Sequence, residues 1–138
     1  MGMLQQIDHI GIAVKDLDET VAFYCQVMGL EVSSTEVLNG MKIAFLRIGD
    51  SELELLEDLT PDGAIARHVA NRGESIQHMA YRVDNIEHAL EGMRAKGIAL
   101  IDEQPRPGAR KARVAFLHPK STKGVLIELV EPLSSPLS

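Results

Sequence analysis

Apolar runs and amphipathic stretches alternate along the first half of the chain. Residues 7–14 are mainly apolar, with Asp8 and His9 inserted, and are rich in β-branched side chains, which predicts a strand. Residues 16–28 carry an apolar stripe at helical spacing, with an aspartate to cap the start and Gly29 to end the helix. Three further strands follow, at residues 30–38, 41–48 and 51–57, separated by the turn signals Asn39-Gly40 and Gly49-Asp50. The order predicted is βαβββ.

The second half of the chain repeats the first. The matched segments, in the same order, are 7–14 with 76–83, 42–46 with 113–117 and 53–57 with 127–131, and each predicted helix stops at a glycine, Gly29 or Gly97. The second set of elements is predicted as strand 76–83, helix 84–96, and strands 98–103, 112–117 and 124–131. This agreement indicates a duplicated module, and such a duplication constrains the fold.

A βαβββ module alone would leave a concave apolar sheet face and two strand edges exposed. We therefore expect an α+β fold in which two βαβββ modules pair into a partly closed mixed β-barrel. The expected bounds within a single domain 1–138 are 5–58 for the first module, 59–74 for a linker helix, 75–132 for the second module and 133–138 for a Pro/Ser-rich tail. Pseudo-twofold pairing would set equivalent residues of the two modules opposite each other.

Composition excludes several classes of protein. The 138 residues include 14 Lys+Arg and 20 Asp+Glu, and the net charge of −6 argues against nucleic acid as the main partner. The single cysteine, Cys25, excludes an internal disulfide and a cysteine-based zinc site, and it suits a reducing cytoplasm. No apolar run is long enough for a membrane span, and the first residues lack the features of a secretory signal.

Four polar residues lie in the middle of predicted strands at equivalent repeat positions: His9 and His78, and Glu54 and Glu128. A charged side chain in such a strand is costly if it faces the core unpaired. Two imidazoles and two carboxylates could instead share one divalent ion of the Zn, Co, Ni, Mn or Fe type. Strand parity leaves two rivals for Glu54, namely Glu52 and Glu57.

Three segments resemble a known family. Residues 7–14 (IDHIGIAV) and 77–84 (QHMAYRVD) are similar to segments of the vicinal oxygen chelate superfamily. Residues 114–129 (VAFLHPKSTKGVLIEL) resemble more specifically the methylmalonyl-CoA epimerases within it. The resemblance covers roughly residues 5–132 and implies the barrel fold expected from the repeat.

The resemblance also implies an activity and a set of site residues. It implies metal ligands at His9, His78 and Glu128, with Glu54 at the fourth ligand position, one divalent ion per chain (Co²⁺ before Zn²⁺, Ni²⁺ or Mn²⁺) and a homodimer. The implied substrate is an acyl-CoA thioester. The implied reaction is epimerisation of (R)/(S)-methylmalonyl-CoA by 1,1-proton transfer through a metal-stabilised enolate, with Glu128 as both ligand and base.

Epimerisation needs a proton acceptor on one face of the reacting carbon and a donor on the other. Several relatives carry a second glutamate at a position that is Ile43 here. Glu54, the repeat mate of Glu128, is the candidate for the second group. Glu36, Lys42 and a metal-bound water are weaker candidates.

A local basic stretch could bind the anionic substrate of an otherwise acidic protein. Residues 104–127 contain six basic residues and no acidic one: Arg106, Arg110, Lys111, Arg113, Lys120 and Lys123. The residues expected to contact substrate are His118, Lys120, Arg113 and Lys123. A solvated basic hairpin is the plainer alternative for this stretch. His68 and His88 are interpreted as surface residues, and Cys25 as a packed thiol.

Fold resemblance alone does not fix an activity, because this superfamily hosts several chemistries. The nearest alternative is a glyoxalase I-type lactoylglutathione lyase, which uses the same kind of His/Glu site. A non-enzymatic drug-binding or resistance protein is the alternative from another class, but the four candidate ligands and the 4% aromatic content disfavour it. An extradiol dioxygenase is also disfavoured, because it would draw its iron ligands from one module, whereas the candidate ligands here come from both.

Overall fold

The computed structural model describes residues 3–133, so most of the predicted tail, 134–138, lies outside the described residues. The strands are β1 (Leu4–Ala13), β2 (Val32–Leu38), β3 (Met41–Ile48), β4 (Ser51–Asp58), β5 (Ser75–Val83), β6 (Arg106–Pro107), β7 (Arg113–Leu117) and β8 (Ile127–Glu131). The helices are α1 (Leu17–Gln26), α2 (Ala64–Arg72) and α3 (Ile86–Ala95), and two short 3₁₀ turns span Ala109–Lys111 and Pro119–Ser121.

The sheet is mixed and has eight strands, in the order β2-β3-β4-β1-β5-β8-β7-β6. β1 runs parallel to β4, and β5 runs parallel to β8 in the same way. The other described pairings, β2 with β3, β3 with β4, β6 with β7 and β7 with β8, are antiparallel. Each parallel pair therefore joins the first and last strands of one βαβββ repeat.

The described residues form two compact units. The N-terminal unit is His9–Gln77, and its core lies on the side of the sheet covered by α1. That core consists of Val14, Leu17, Ala44, Leu46 and Leu55, with Val21, Tyr24 and Cys25 packed against it. The position of Cys25 confirms the packed thiol expected from the sequence. This packing follows from the alternation in β3 and β4, where every second residue faces the helix.

The C-terminal unit comprises residues 3–8 and 78–133. Its main core again lies under the helix and consists of Val83, Ile86, Ala89, Leu90, Ala115, Leu117 and Leu129. A second buried cluster contains Ala80, Ala112, Val114 and Val130. Neighbouring residues along β7 and β8 point to opposite faces of the sheet and therefore belong to different clusters. Of these two clusters, the first includes residues of α3.

Helices α1 and α3 begin in the same way. Asp16 accepts a hydrogen bond from the backbone N–H of Glu19, and Asn85 accepts one from that of His88, both at 3.0 Å. A glutamate at the end of each parallel partner strand supplies a second cap. Glu57 accepts from the N–H of the first residue of α1 at 2.7 Å, and Glu131 accepts from that of α3 at 3.0 Å. The last strand of each repeat therefore fixes the start of its own helix.

The structure confirms the repeated βαβββ order and the helix between the repeats, but the strand predicted at 98–103 is wrong. Leu100 makes only an isolated bridge to Leu117, and the paired strand β6 has two residues. Two physical causes explain this. Proline at 105 and 107 supplies no N–H for a ladder, and Asp102 accepts the Phe116 N–H through its side chain at 2.8 Å.

Candidate metal centre

The alternation of side chains along β4 and β8 puts the acidic residues on the side of the sheet away from the helices. In β4, Leu55 packs under α1 while Glu54 faces the opposite way. In β8, Leu129 packs under α3 while Glu128 faces the opposite way. The residue across from each glutamate on the parallel partner strand is small, Gly11 in one case and Ala80 in the other. That leaves space above the partner strand for a side chain from two residues earlier.

In the N-terminal unit, that earlier side chain is His9. Its Nε2 lies 3.2 Å from Oε1 of Glu54, and both residues are buried. Phe45, directly across from Glu54 on β3, packs edge-on against the His9 ring at 5.7 Å between centroids. An imidazole and a carboxylate are thus held together in an apolar setting, where leaving either without a partner is costly.

The C-terminal unit repeats this arrangement with its own residues. His78 Nε2 lies 3.3 Å from Oε1 of Glu128, and both residues are again buried. Phe116 is directly across from Glu128 on β7 and packs edge-on against the His78 ring at 5.5 Å. The repeat therefore extends from the ligand pair to the aromatic ring that supports it.

These four side chains form a buried group that could hold a metal ion. The ligand atoms of His9, Glu54, His78 and Glu128 all lie within 4.8 Å of one another. With metal–ligand bonds of about 2.0–2.2 Å, neighbouring ligands of one ion are about 3 Å apart and opposite ligands a little over 4 Å. The set of two imidazoles and two carboxylates suits a borderline divalent ion, and thiolates are absent from it. The residues present therefore fit the metal that the sequence predicted.

The two rivals of Glu54 lie in different places. Glu57 belongs to the helix side of β4, where it caps α1. Glu52 shares the face of Glu54, is buried, and lies directly across from His9 on the partner strand. It accepts a short hydrogen bond from the Ser33 hydroxyl. Glu52 therefore lies beside the ligand group, whereas Glu54 belongs to it.

Sequence reasoning missed a second buried charge cluster, in the C-terminal unit. Asp8 is fully buried, and its Oδ1 accepts hydrogen bonds from Nε and Nη2 of Arg82 at 3.2 and 3.0 Å. Its Oδ2 accepts a short hydrogen bond from Arg110. Two guanidiniums thus compensate one buried carboxylate at the position next to a candidate ligand. The signal available in the sequence was Asp8 itself, a charge inside an apolar strand.

The predicted substrate-contacting residues lie in two groups. Arg113 points to the α3 side, where it bonds to Glu87 and lies 3.3 Å from Glu131. The hydrogen bond from Arg113 lowers the pKa of the Glu87 carboxyl, and the same bond raises the pKa of Arg113. The other three residues, His118, Lys120 and Lys123, are exposed and lie in or beside the second 3₁₀ turn, where His118 Nδ1 accepts from the N–H of Lys120. Their roles stay predictions.

The two remaining histidines differ. His88 is exposed, as expected. His68 on α2 is partly exposed, and its Nε2 lies 2.8 Å from the Ser75 hydroxyl, so it is a surface residue with a side-chain partner. Burial, together with the nearby Arg72 charge, lowers the pKa of His68. Ser75, whose hydroxyl also donates to the Gly73 carbonyl, is thus a structural partner of His68.

Comparison with known proteins places this geometry in a family. Residues 8–116 match the model of the Glyoxalase/Bleomycin resistance protein/Dioxygenase superfamily. The chain belongs to that superfamily, and the expected fold class is confirmed. The human mitochondrial methylmalonyl-CoA epimerase is 36% identical over 129 residues, covering 91% of this chain and 73% of the relative. A solved methylmalonyl-CoA epimerase in complex with methylmalonyl-CoA and NH₄⁺ is 40% identical, with a TM-score of 0.92, covering 95% of this chain and 96% of that one.

A relative with another activity is more distant. A probable lactoylglutathione lyase of Vibrio cholerae is 30% identical over 129 residues, covering 91% of this chain and 90% of the relative.

In the described part of the chain, no helix is both long and apolar enough to span a membrane.

Proposed function

We propose that this protein is a metal-dependent methylmalonyl-CoA epimerase, an isomerase that interconverts the (R) and (S) thioesters. One observation carries the proposal: a buried group of two histidines and two glutamates, in a chain that matches a substrate-bound epimerase with a TM-score of 0.92. The cost of burying four such groups is difficult to explain in a protein that binds no cation.

The chemistry requires removal of a proton from a carbon between a thioester and a carboxylate. The enolate that results is too unstable to form freely in water at neutral pH. A divalent ion, when bound, supplies positive charge for the developing oxyanion, an effect of several kcal/mol. The protein residues must orient the substrate, exclude water and move the proton at the reacting carbon.

The roles of the chain's own residues follow from the sequence expectations. His9, His78, Glu54 and Glu128 would hold the ion, and Glu128 would also take the α-proton as general base. Glu54 is the sequence candidate for a second catalytic group. His118, Lys120, Lys123 and Arg113 would contact the anionic substrate, and the salt bridges of Arg113 to Glu87 and Glu131 would have to rearrange for it to do so.

Several finer properties belong to the same proposal. Co²⁺ is the expected ion, with Zn²⁺, Ni²⁺ or Mn²⁺ as alternatives, and the enzyme is expected to be a cytoplasmic homodimer. Exposed apolar side chains on and just after α1, at Phe23, Val27 and Met28, are candidates for the dimer contact. We also propose the repeat bounds 5–58 and 75–132, joined by 59–74, within a single domain.

A second candidate is a lactoylglutathione lyase. The observation that favours it is the lyase relative at 30% identity, together with a metal site of the kind that both reactions use. A non-enzymatic binding protein of the same fold is a third alternative, which the four buried ligands disfavour.

One side-by-side assay of the metal-loaded protein separates these functions. In one arm, methylmalonyl-CoA is incubated in D₂O, and exchange of the α-proton is followed by NMR. In the other arm, methylglyoxal and glutathione are supplied, and thioester formation is followed. We expect exchange in the first arm and little turnover in the second. Turnover only in the second arm would favour the lyase, and activity in neither would favour the binding protein.

A further inference from the structure

A malonyl-type thioester carries a free carboxylate beside the carbon that loses its proton. Loss of that proton puts further negative charge next to the carboxylate, so a fixed cation there would favour binding and also offset the charge that develops. The inference that follows rests on the proposed function. Such a cation should lie on the face of the sheet that carries the candidate ligands, close to one of them.

The register of the C-terminal unit places one arginine on that face. Directly paired residues of neighbouring strands point to the same side of a sheet. Phe116 in β7 is across from Glu128, and Val114, two residues earlier in the same strand, shares its face. Arg106 in β6 is directly across from Val114. Arg106 therefore lies on the same face of the sheet as Glu128.

An aromatic contact brings the Arg106 side chain toward the ligand pair. Its guanidinium carbon, Cζ, lies over the Phe116 ring, 5.4 Å from the centroid. The same ring packs edge-on against the His78 ring, with 5.5 Å between centroids. One phenylalanine ring thus contacts both the guanidinium and a candidate metal ligand of the same unit.

Asp102 holds both partners of this aromatic contact. Its Oδ1 accepts a hydrogen bond from Nε of Arg106 at 3.1 Å, and its Oδ2 accepts one from the backbone N–H of Phe116 at 2.8 Å. Among the described residues, no hydrogen bond engages the N–H groups on Nη1 and Nη2 of Arg106. Because the side chain is 45% exposed, that edge of the guanidinium can offer two parallel donors to a carboxylate from solution.

The backbone of β6 is held close to β7 by a glycine. A Cβ on Gly108 would lie 2.6 Å from a methyl carbon of Val114, the residue across from Arg106. The N–H of Gly108 donates to the Ala112 carbonyl at 2.9 Å. Only a residue without a side chain allows this close approach. The short strand is therefore fixed in place, and Arg106 with it.

The other basic residues of the strands and turns have different positions. Arg82 and Arg110 both donate to the buried Asp8. Arg113 points to the α3 side, where it pairs with Glu87. Three lysines are exposed in or beside the 3₁₀ turns: Lys111, Lys120 and Lys123. The combination of ligand face and aromatic contact with a ligand's support therefore belongs to Arg106.

We propose that Arg106 binds the free carboxylate of the substrate and makes the enzyme specific for malonyl-type thioesters. Its two Nη groups donate to the two carboxylate oxygens, a bidentate geometry that arginine suits and lysine does not. The positive charge also offsets the repulsion between this carboxylate and the enolate that forms on the adjacent carbon. Arg106 therefore contributes to kcat as well as to KM.

The test uses the full-length, metal-loaded protein and three thioesters that separate the two kinds of anion. Methylmalonyl-CoA has the carboxylate and the CoA phosphates, methylmalonyl-pantetheine has the carboxylate alone, and propionyl-CoA has the phosphates alone. Arg106→Gln should lower kcat/KM for the first two by the same factor, about 10- to 100-fold, the usual effect of losing a hydrogen bond to a charged group. It should leave the inhibition constant of propionyl-CoA unchanged.

Matched variants fix the meaning of each result. Arg94→Gln is the control, because Arg94 also pairs with an acidic residue and is 47% exposed, but lies on α3. It should keep wild-type kinetics. Arg106→Lys retains the charge without the planar fork and should recover only part of the activity. Circular dichroism and analysis of bound metal check that every variant is folded and loaded.

Several outcomes would overturn the assignment of Arg106 while the function stands. Wild-type kinetics of Arg106→Gln would do so, as would an equal loss in Arg94→Gln or a loss of metal from Arg106→Gln. Weaker inhibition by propionyl-CoA with unchanged kcat/KM for methylmalonyl-pantetheine would assign Arg106 to a phosphate instead. A wild-type protein that inverts neither methylmalonyl thioester would overturn the proposed function itself.

Discussion

The two halves of the molecule are alike where they hold the candidate ligands and differ at the strand that flanks them. The His–Glu distances are 3.2 and 3.3 Å, and the supporting phenylalanine rings lie at 5.7 and 5.5 Å. In contrast, β2 has seven residues and β6 has two. The shared features are those a cation site needs, and the flanking strand is where the two repeats have diverged.

The divergent strands carry opposite charges at equivalent positions. Glu36 lies across from Ile43 on β3, and Arg106 lies across from Val114, the repeat mate of Ile43, on β7. The Arg106 guanidinium lies 5.4 Å from the centroid of the Phe116 ring. A duplicated scaffold thus supplies an acid from one half and a cation from the other, which identical repeats could not do.

The largest expected effect comes from replacing, one at a time, the two candidate ligand glutamates. Glu128→Gln should reduce epimerisation by about 10²–10⁴-fold, because it removes a general base, whereas Glu54→Gln should reduce it less. Steady-state kinetics and metal analysis of both purified variants make the comparison. Near-normal turnover of a Glu128→Gln protein that still holds its metal would show that Glu128 is not the general base.

A smaller effect, on stability, is expected from substituting Asp8. The equivalent residue of the other repeat is the uncharged Gln77. Asp8→Asn should lower the free energy of unfolding by about 2 kcal/mol, because two guanidiniums lose a buried carboxylate. This value allows for the partial exposure of both arginines. Gln77→Ala is the matched control and should cost less. Urea unfolding of both variants is the measurement, and equal losses would contradict the asymmetry.

The smallest expected effect is on the pH dependence of stability. It concerns two salt bridges at equivalent repeat positions near the starts of the helices, Arg113–Glu87 and Lys42–Asp18. The second pair is looser, with Nζ to Oδ2 at 3.8 Å. Because the pKa of Glu87 is lowered in the folded state, its contribution is present above the ordinary value of 4.5 and is lost as the pH falls through the folded value. Glu87→Gln should therefore lose this pH dependence.

The measurement is unfolding by urea at a series of pH values from neutral to about 3. The difference between wild type and Glu87→Gln should be present near pH 7 and shrink below the ordinary glutamate pKa. Asp18→Asn serves as the control on the looser mate pair. A difference that grew on acidification would contradict the direction of the shift.

The sequence was informative where two halves of one chain could be compared. The repeat predicted the strands and helices of both modules and the four candidate ligands, because a His or Glu inside an apolar strand is costly and recurs at the matched position. It could not choose between Glu52 and Glu54, since both have the same parity. It also failed at 98–103, where the apolar pattern was strand-like but the Asp102 side chain accepts the Phe116 N–H and prolines follow at 105 and 107.

Other contacts depend on register, which a single sequence does not reveal. The relation of Glu36 to Ile43 depends on how β2 aligns with β3 after the bulge between Val32 and Ser34. The pairing of Asp8 with Arg82 and Arg110 joins residues far apart in the chain. Neither contact has a local signal beyond an acidic residue in a strand.

The parallel pairing of β1 with β4 and of β5 with β8 has a consequence for assembly. Parallel neighbours require a long crossover, so the imidazole and carboxylate of each half are separated by roughly 45–50 residues of intervening chain. Such distant pairs close late, because the entropy of the connecting loop must be lost first. Cation uptake should therefore report completed folding, and a nascent chain that still lacks β8 would bind the ion weakly.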